Sequence, residues 1–420
     1  MRLTILLGVF LILLSSQNLQ AQAADSFIST NGLHFTLNGS LFFSNGFNAY
    51  WLMIVASDPS QRDKVSTAFK EASINGLTIA RPGAFNDGGS SALQYSPGSY
   101  NEHMFKGLDF VISEARRYGI WLILSLVNNY DNFGGKPQYV QWARNQGESI
   151  GSDDEFFTNN VVKGYYKNHV KSVLTRNNTL TGVAYKDDPT IFAWELMNEA
   201  RCPLDTSGKT LQAWIAEMSA HVKSIDSNHL LEVGLEGFYA SSSPSKLPKN
   251  LTGFQVGTDF ISNNQISRID FATLHSYPDQ WIPNSSDHAE LQFSNNWLDA
   301  HIRDANNILH KPLLIAEFGK SMKDPGYNNS KRDALFQAVY FKVYQSARRG
   351  GAAAGCLFWQ LLVEGMDSLK DGYEIQMNET PMTTRIIHSQ CGRLQHLTKL
   401  YAKKSRHCKA REAKGHEKCS

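Results

Sequence analysis

The stretch Ile191-Phe192-Ala193-Trp194-Glu195-Leu196-Met197-Asn198-Glu199 decides the fold. It is an apolar run, interrupted by Glu195 alone, of the kind that a strand buried on both faces requires, and it ends in the polar pair Asn198-Glu199. The same grammar returns later in Leu313-Leu314-Ile315-Ala316-Glu317-Phe318-Gly319, where a second apolar run leads into a carboxylate.

Working outward from these two, strand-like runs are predicted at Ser44 to Phe47, Leu77 to Arg81, Trp121 to Leu126, Ile191 to Leu196, Leu231 to Leu235, Phe271 to Leu274, Leu313 to Ala316 and Cys356 to Gln360. Longer segments separate them, at Asp58 to Ser73, Glu102 to Tyr118, Phe156 to Arg176, Leu211 to Ile225, Glu290 to Leu309 and Arg332 to Arg349, most with apolar residues at three- and four-residue spacing. Strands alternating with helices imply a parallel sheet. Eight of them predict an α/β fold, a (β/α)8 TIM barrel with loop insertions, better than an open doubly wound sheet, and no Gly-x-Gly-x-x-Gly follows the first strand. Ahead of the barrel, His34-Phe35-Thr36-Leu37 and Leu41-Phe42-Phe43 flank Asn38-Gly39, an N-terminal hairpin expected to plug the barrel bottom. Ser241 to Lys249, rich in Ser, Pro and Lys, reads as a surface loop.

The chain of 420 residues begins with Arg2, the apolar run Leu3 to Leu14 and the small-residue pattern Ala21-Gln22-Ala23, which predicts a cleaved secretory signal peptide over 1–24. No other run has the length of a membrane span. Export makes six Asn-x-Ser/Thr sites, at Asn38, Asn177, Asn250, Asn284, Asn328 and Asn378, expected surface positions. Five cysteines are too few to frame so long a chain, and without a Cys-x-x-Cys or His-x-x-x-His spacing neither a metal nor another cofactor is expected. From Cys391 to Ser420 nine Lys or Arg face two Glu, a local balance of +7 that leaves −5 on the rest of a chain with net charge +2. The expected division is therefore a catalytic domain over 25–402 and a basic tail over 403–420. The tail reads as a solvated terminus, or as a weak electrostatic contact with acidic wall polymers or a membrane surface. Nothing points to a nucleic-acid partner.

Active sites of such barrels lie at the carboxyl ends of the strands. By that rule Arg81, Asn128, Asn198 with Glu199, Glu236, His275 with Tyr277, Glu317 and Trp359 converge on one face. Two strand-end carboxylates suit acid/base cleavage of a glycosidic bond, and a gap of about 5 to 5.5 Å would permit a covalent intermediate and retention of configuration. Glu195 falls within its strand, between Trp194 and Leu196, and reads as a structural carboxylate.

Trp194-Glu195-Leu196-Met197-Asn198-Glu199, His275-Ser276-Tyr277, Ala316-Glu317-Phe318-Gly319 and Phe358-Trp359-Gln360 resemble plant endo-β-1,4-mannanases of glycoside hydrolase family 5. The likeness extends through Tyr185-Lys186-Asp187-Asp188-Pro189-Thr190, Gly257-Thr258-Asp259-Phe260 and Asp371-Gly372-Tyr373-Glu374. It implies a secreted retaining endo-mannanase acting on mannan, glucomannan or galactomannan of the cell wall. Residue by residue it implies Glu199 as acid/base, Glu317 as nucleophile, Asn198 as partner of the sugar 2-hydroxyl, Arg81 and Tyr277 as groups that orient the nucleophile, and His275 as a site histidine. It also sets Trp359 under the sugar at the cleavage point. Trp281 is a second candidate platform, equally readable as a loop-anchoring aromatic. Two departures stand out: Arg81-Pro82-Gly83 replaces an expected Arg-Thr-Trp, removing an aromatic wall, and Ala200 replaces a proline after Glu199. They leave two alternatives, a related β-1,4-glycanase or a weakened homologue that binds polysaccharide.

Overall fold

The computed structural model describes residues 26–240 and 255–412, with side chains described as far as 404. The expected signal segment, the Ser241 to Lys249 loop and the Asn250 glycosylation site lie outside the described residues. Eight parallel strands form one sheet: Ser44–Asn48, Ile79–Arg81, Trp121–Ser125, Ile191–Glu195, Leu230–Glu232, Ala272–Ser276, Leu313–Phe318 and Ala353–Phe358. The first strand pairs with the eighth. The fifth and sixth meet through Asp270 N–H to the Leu231 carbonyl at 2.8 Å and His275 N–H to the Glu236 carbonyl at 2.9 Å, which brings the sheet round into a barrel. Every residue of these strands is buried, so helices on the outside must cover them.

Helix Glu102–Tyr118 shows how the sequence builds that cover. Asn101 caps its start by accepting the His103 N–H at 3.0 Å, Gly119 ends it at a φ of 67°, and Met104, Leu108, Val111, Ile112 and Ala115 turn one face to the barrel. Three expected helices are shorter or broken for local reasons. Asn159 accepts the N–H groups of Val161 and Val162, so the segment from Phe156 divides into a 3₁₀ turn, Asp153–Phe157, and a helix, Asn160–Leu174. Asp58 likewise caps the 3₁₀ turn Pro59–Gln61 ahead of Arg62–Ile74, and Asp287–Asp304 ends in a π turn over Ala305–Leu309. Helices Leu52–Ser57, Gly135–Asn145, Phe260–Gln265 and Pro381–Glu412 come in addition, the last continuing past residue 402.

The fifth strand ends at Glu232 instead of Leu235. Gly234 has a φ of 91° and sits so close to the Met197 carbonyl that an added Cβ would lie 1.9 Å from its oxygen, so only glycine fits. Strands six and seven run longer than expected, taking His275 and Glu317 inside the ladder as register partners.

Ser29–Asn31, His34–Leu37 and Ser40–Phe42 make a small antiparallel sheet, with Asn38 and Gly39 both at positive φ in the turn. Its Phe35 ring meets Phe192 at 5.0 Å and Phe271 at 5.1 Å, and Phe42 meets Trp121 at 5.1 Å. All three partners stand at the amino ends of barrel strands, opposite the site face. Phe35 is 2% exposed; Phe35→Ala is therefore expected to lower unfolding free energy by about 3–5 kcal/mol in urea titration, and a loss under about 1 kcal/mol would show that the plug does not hold the barrel.

Candidate active site

At the carboxyl end of the barrel a cleft of about 760 Å³ is lined by Arg81, Asn128, Asn198, Glu199, Glu236, Tyr277, Trp281, Glu317 and Trp359 among others. Arg81, from the end of the second strand, is its organising cation. Nε and Nη2 form a fork on the two oxygens of Glu195 at 2.6 and 2.8 Å. Nη1 donates to Glu317 Oε1 at 2.6 Å and to Asn48 Oδ1 at 3.0 Å, and Nη2 also donates to Asn198 Oδ1 at 2.7 Å. Five hydrogen bonds use the five N–H groups of a guanidinium. Glu195, with a fully buried side chain, accepts both arms of that fork.

The Tyr277 hydroxyl donates to the second oxygen of Glu317, Oε2, at 2.7 Å. Nδ1 of His275 lies 2.6 Å from Glu199 Oε1 and 3.5 Å from Glu317 Oε2, so the imidazole stands between the two carboxylates. One oxygen of each glutamate and a ring nitrogen of His275 all fall within 4.8 Å of one another. Glu199 itself has a φ of 52°, a left-handed conformation uncommon outside glycine and asparagine, and its side chain keeps 14% exposure.

Electrostatics follow from this crowding. Burial raises Glu317, and the Glu199 charge adds to it against the opposing pull of His275, Arg81 and Tyr277. Burial pushes Glu199 the same way, but hydrogen bonding and charge from His275, with Arg201 and Tyr130, outweigh it and leave Glu199 lowered. Burial disfavours the charged imidazole, yet Glu317 and Glu199 overcome it and raise His275. The pair Glu199–His275 thus retains a proton, drawn toward the ring.

The remaining residues divide. Asn198 Nδ2 donates to Asn128 Oδ1 at 3.0 Å. Glu236 pairs with Arg201 at 2.6 and 2.5 Å, and burial followed by the Glu199 charge pushes it up to about 7. The partly exposed Trp359 ring lies parallel to Tyr50, with centroids 5.8 Å apart, and its Nε1 donates to Asp371 at 2.6 Å. Trp281 touches the cleft but is only 5% exposed, wedged against Phe238 at 5.1 Å and Trp297 at 5.3 Å. Beside Gly83 the wall is not bare: a Cβ on Gly83 would meet the Phe85 ring at 3.2 Å, and Phe85 lines the cleft.

Sequence reasoning missed Asn48, Tyr50, Tyr130, Arg201 and Asp371. Asn48 follows the apolar Phe47 at the end of the first strand, and Arg201 lies two residues past Glu199, so strand-end logic could have found both. Tyr50, Tyr130 and Asp371 sit on loops whose course the spacing does not reveal.

Comparison with known proteins places this geometry in company. Residues 25–367 match the family model described as glycoside hydrolase family 5, β-mannosidase-like. Mannan endo-1,4-beta-mannosidase 1 of Oryza sativa subsp. japonica is 65% identical, over 90% of this chain and 88% of the relative. Mannan endo-1,4-beta-mannosidase 7 of Arabidopsis thaliana is 60% identical, over 91% and 89%. Among solved structures, the endo-beta-1,4-mannanase from Thermotoga petrophila aligns with a TM-score of 0.73 at 30% identity, over 85% of this chain and 78% of that one. The endo-1,4-beta-mannanase of Rhizomucor miehei gives 0.73 at 31%, over 88% and 100%.

The Tyr277 hydrogen bond favours the charged form of Glu317. Tyr277→Phe removes a bond to a charged group worth about 1.5–3 kcal/mol, so the acid limb of the kcat/KM profile is expected to move to higher pH by about 1 unit. An unmoved limb would show that Tyr277 does not govern the ionisation of Glu317.

Proposed function

This chain belongs to glycoside hydrolase family 5, in its β-mannosidase-like group, and from that premise we propose that it hydrolyses internal β-1,4-mannosidic bonds of mannan, glucomannan and galactomannan with retention of configuration. The observation that carries the mechanism is the approach of a Glu199 oxygen to within 4.8 Å of a Glu317 oxygen. Retaining enzymes hold their carboxyl groups about 5–5.5 Å apart, and inverting ones leave about 6.5–9.5 Å for a water.

Glu317, whose charged form Arg81 and Tyr277 favour against the pull of burial, attacks the anomeric carbon. Glu199 protonates the departing glycosidic oxygen, using the proton it shares with His275 across 2.6 Å, and the bond breaks to leave a glycosyl ester on Glu317. Glu199, now a carboxylate, takes a proton from water as that water attacks the same carbon and releases Glu317. The two displacements together restore the starting configuration. Arg81 and Tyr277 stabilise the charge that returns to Glu317 when the ester breaks. Asn198 uses one N–H on Asn128 and keeps the other for the sugar 2-hydroxyl. Trp359 offers its face to the pyranose in the cleavage position.

The reading extends to secretion into the cell wall. Its support is the signal-like segment 1–24 and the exposure of Asn38, Asn177, Asn284, Asn328 and Asn378, each in a glycosylation sequence. Among the described residues no helix is long and apolar enough to cross a membrane. The basic end of the chain adds a weak contact with acidic wall polymers.

On galactomannan, Glu199→Ala and Glu317→Ala are each expected to lose roughly 10²- to 10⁴-fold or more in kcat. Proton NMR of early wild-type hydrolysis should show the β anomer first. Activity surviving in both variants, or the α anomer first, would overturn the mechanism. A matching panel of β-1,4-glucans, expected to be cut poorly, tests the sugar preference.

A further inference from the structure

Below the catalytic carboxylates lies another acid that the mechanism does not use. Glu232 ends the fifth strand as the direct register partner of Glu195 on the fourth, and both side chains are without solvent exposure. The register sets the two side chains side by side, and Gly234, whose N–H donates to Glu232, packs against the Glu195 side chain as well. Two ionised carboxylates cannot share a buried contact without a proton or a cation between them. The groups that face the pair are Arg81 from the second strand, Ser125 from the third, Tyr166 from helix Asn160–Leu174, Thr273 from the sixth strand and the backbone of Gly234. Arg81 gives its fork to Glu195 and has no N–H left for Glu232. The Thr273 hydroxyl and the Gly234 N–H both donate to Glu232 Oε2, while its Oε1 receives no donor at all. A buried carboxylate oxygen without a donor is costly; a carboxylic acid whose O–H donates to Glu195 is not.

We propose that Glu232 is a positioning residue that keeps a proton shared with Glu195, and that this proton fixes the plane of Glu195, hence the Arg81 fork, hence the aim of Arg81 Nη1 at Glu317. The arrangement leaves Arg81 opposite Glu195 and Glu317 as the ionised acids it contacts directly, with Glu232 neutral behind them. Burial, then the charge of Glu195, hold Glu232 well above the ordinary carboxylate range. In an unfolded chain the same group releases its proton near pH ~4.3. From there up to the folded value the unfolded state binds fewer protons than the folded one, so this group makes stability fall as pH rises.

The role in catalysis rests on Glu317 being the nucleophile; the shared proton does not. The test uses the full-length enzyme with Glu232→Gln and Glu232→Ala. Between pH 5 and 7 the unfolding constant of the wild type should rise relative to that of Glu232→Gln by about tenfold per pH unit, because the amide has no proton to lose. On galactomannan, Glu232→Ala should lower kcat by about 10- to 100-fold with little change in KM, since the residue misplaces a partner and does not touch sugar. Glu232→Gln, which can still donate to Glu195, should recover at least about tenfold of that loss. A wild-type to Glu232→Gln stability gap independent of pH would overturn the shared proton, and it decides alone if Glu232→Ala does not fold. A Gln variant no better than Ala would overturn the positioning role, while the Glu317→Ala assay separately judges the nucleophile.

Discussion

One guanidinium has to satisfy four partners, and the mouth of the barrel is arranged around it. Arg81 reaches Asn48 on the first strand, Glu195 on the fourth, Asn198 just beyond it and Glu317 on the seventh, while standing at the end of the second. Its side chain is only 4% exposed, so every one of these contacts must be met by the protein and not by water. A lysine in its place would present three donors on one atom and could not fork on Glu195 while holding Glu317. The placement of Glu317 is therefore tied to Glu195, a fully buried carboxylate at the end of the fourth strand.

Such a cluster is expensive to bury. Glu199 and Glu317 line the cleft and Glu195 and Glu232 lie buried behind them, and breaking a buried ion pair by removing one partner commonly costs about 3–5 kcal/mol. The barrel tolerates the cluster because each acid has a named counterpart: Arg81 for Glu195 and Glu317, His275 for Glu199, and Glu195 itself for the acid form of Glu232. The apolar strands below supply the rigidity, and the glycine at 234 lets the fifth strand press against Met197 so that Glu232 and Glu195 come together.

Much of this was legible from the chain. Buried parallel strands have to be apolar, so the abrupt change to Arg, Asn, Glu or His at the ends of the second, fourth, sixth and seventh marks Arg81, Asn198, Glu199, His275 and Glu317 in the sequence itself. What stayed hidden depends on contacts between remote segments. Trp281 looks like a platform in sequence, yet Phe238 and Trp297 enclose it. Pro82-Gly83 looks like a missing wall, yet Phe85 stands against the glycine. The long helix Pro381–Glu412 is absent from the expected helices although Ile387, Leu394 and Leu397 give it a buried face, and only its basic end, from residue 403, reads as a tail. Glu195 could be called structural from its neighbours, but its partner across 114 positions could not.

The central claim is that Glu317 becomes covalently bonded to the sugar. A 2-deoxy-2-fluoro-mannosyl fluoride slows release of that ester more than its formation and traps it for peptide mass spectrometry. The label is expected on the peptide that carries Glu317 and to be absent in Glu317→Ala. A label on Glu199, or no adduct from an enzyme that turns over galactomannan normally, would contradict the account.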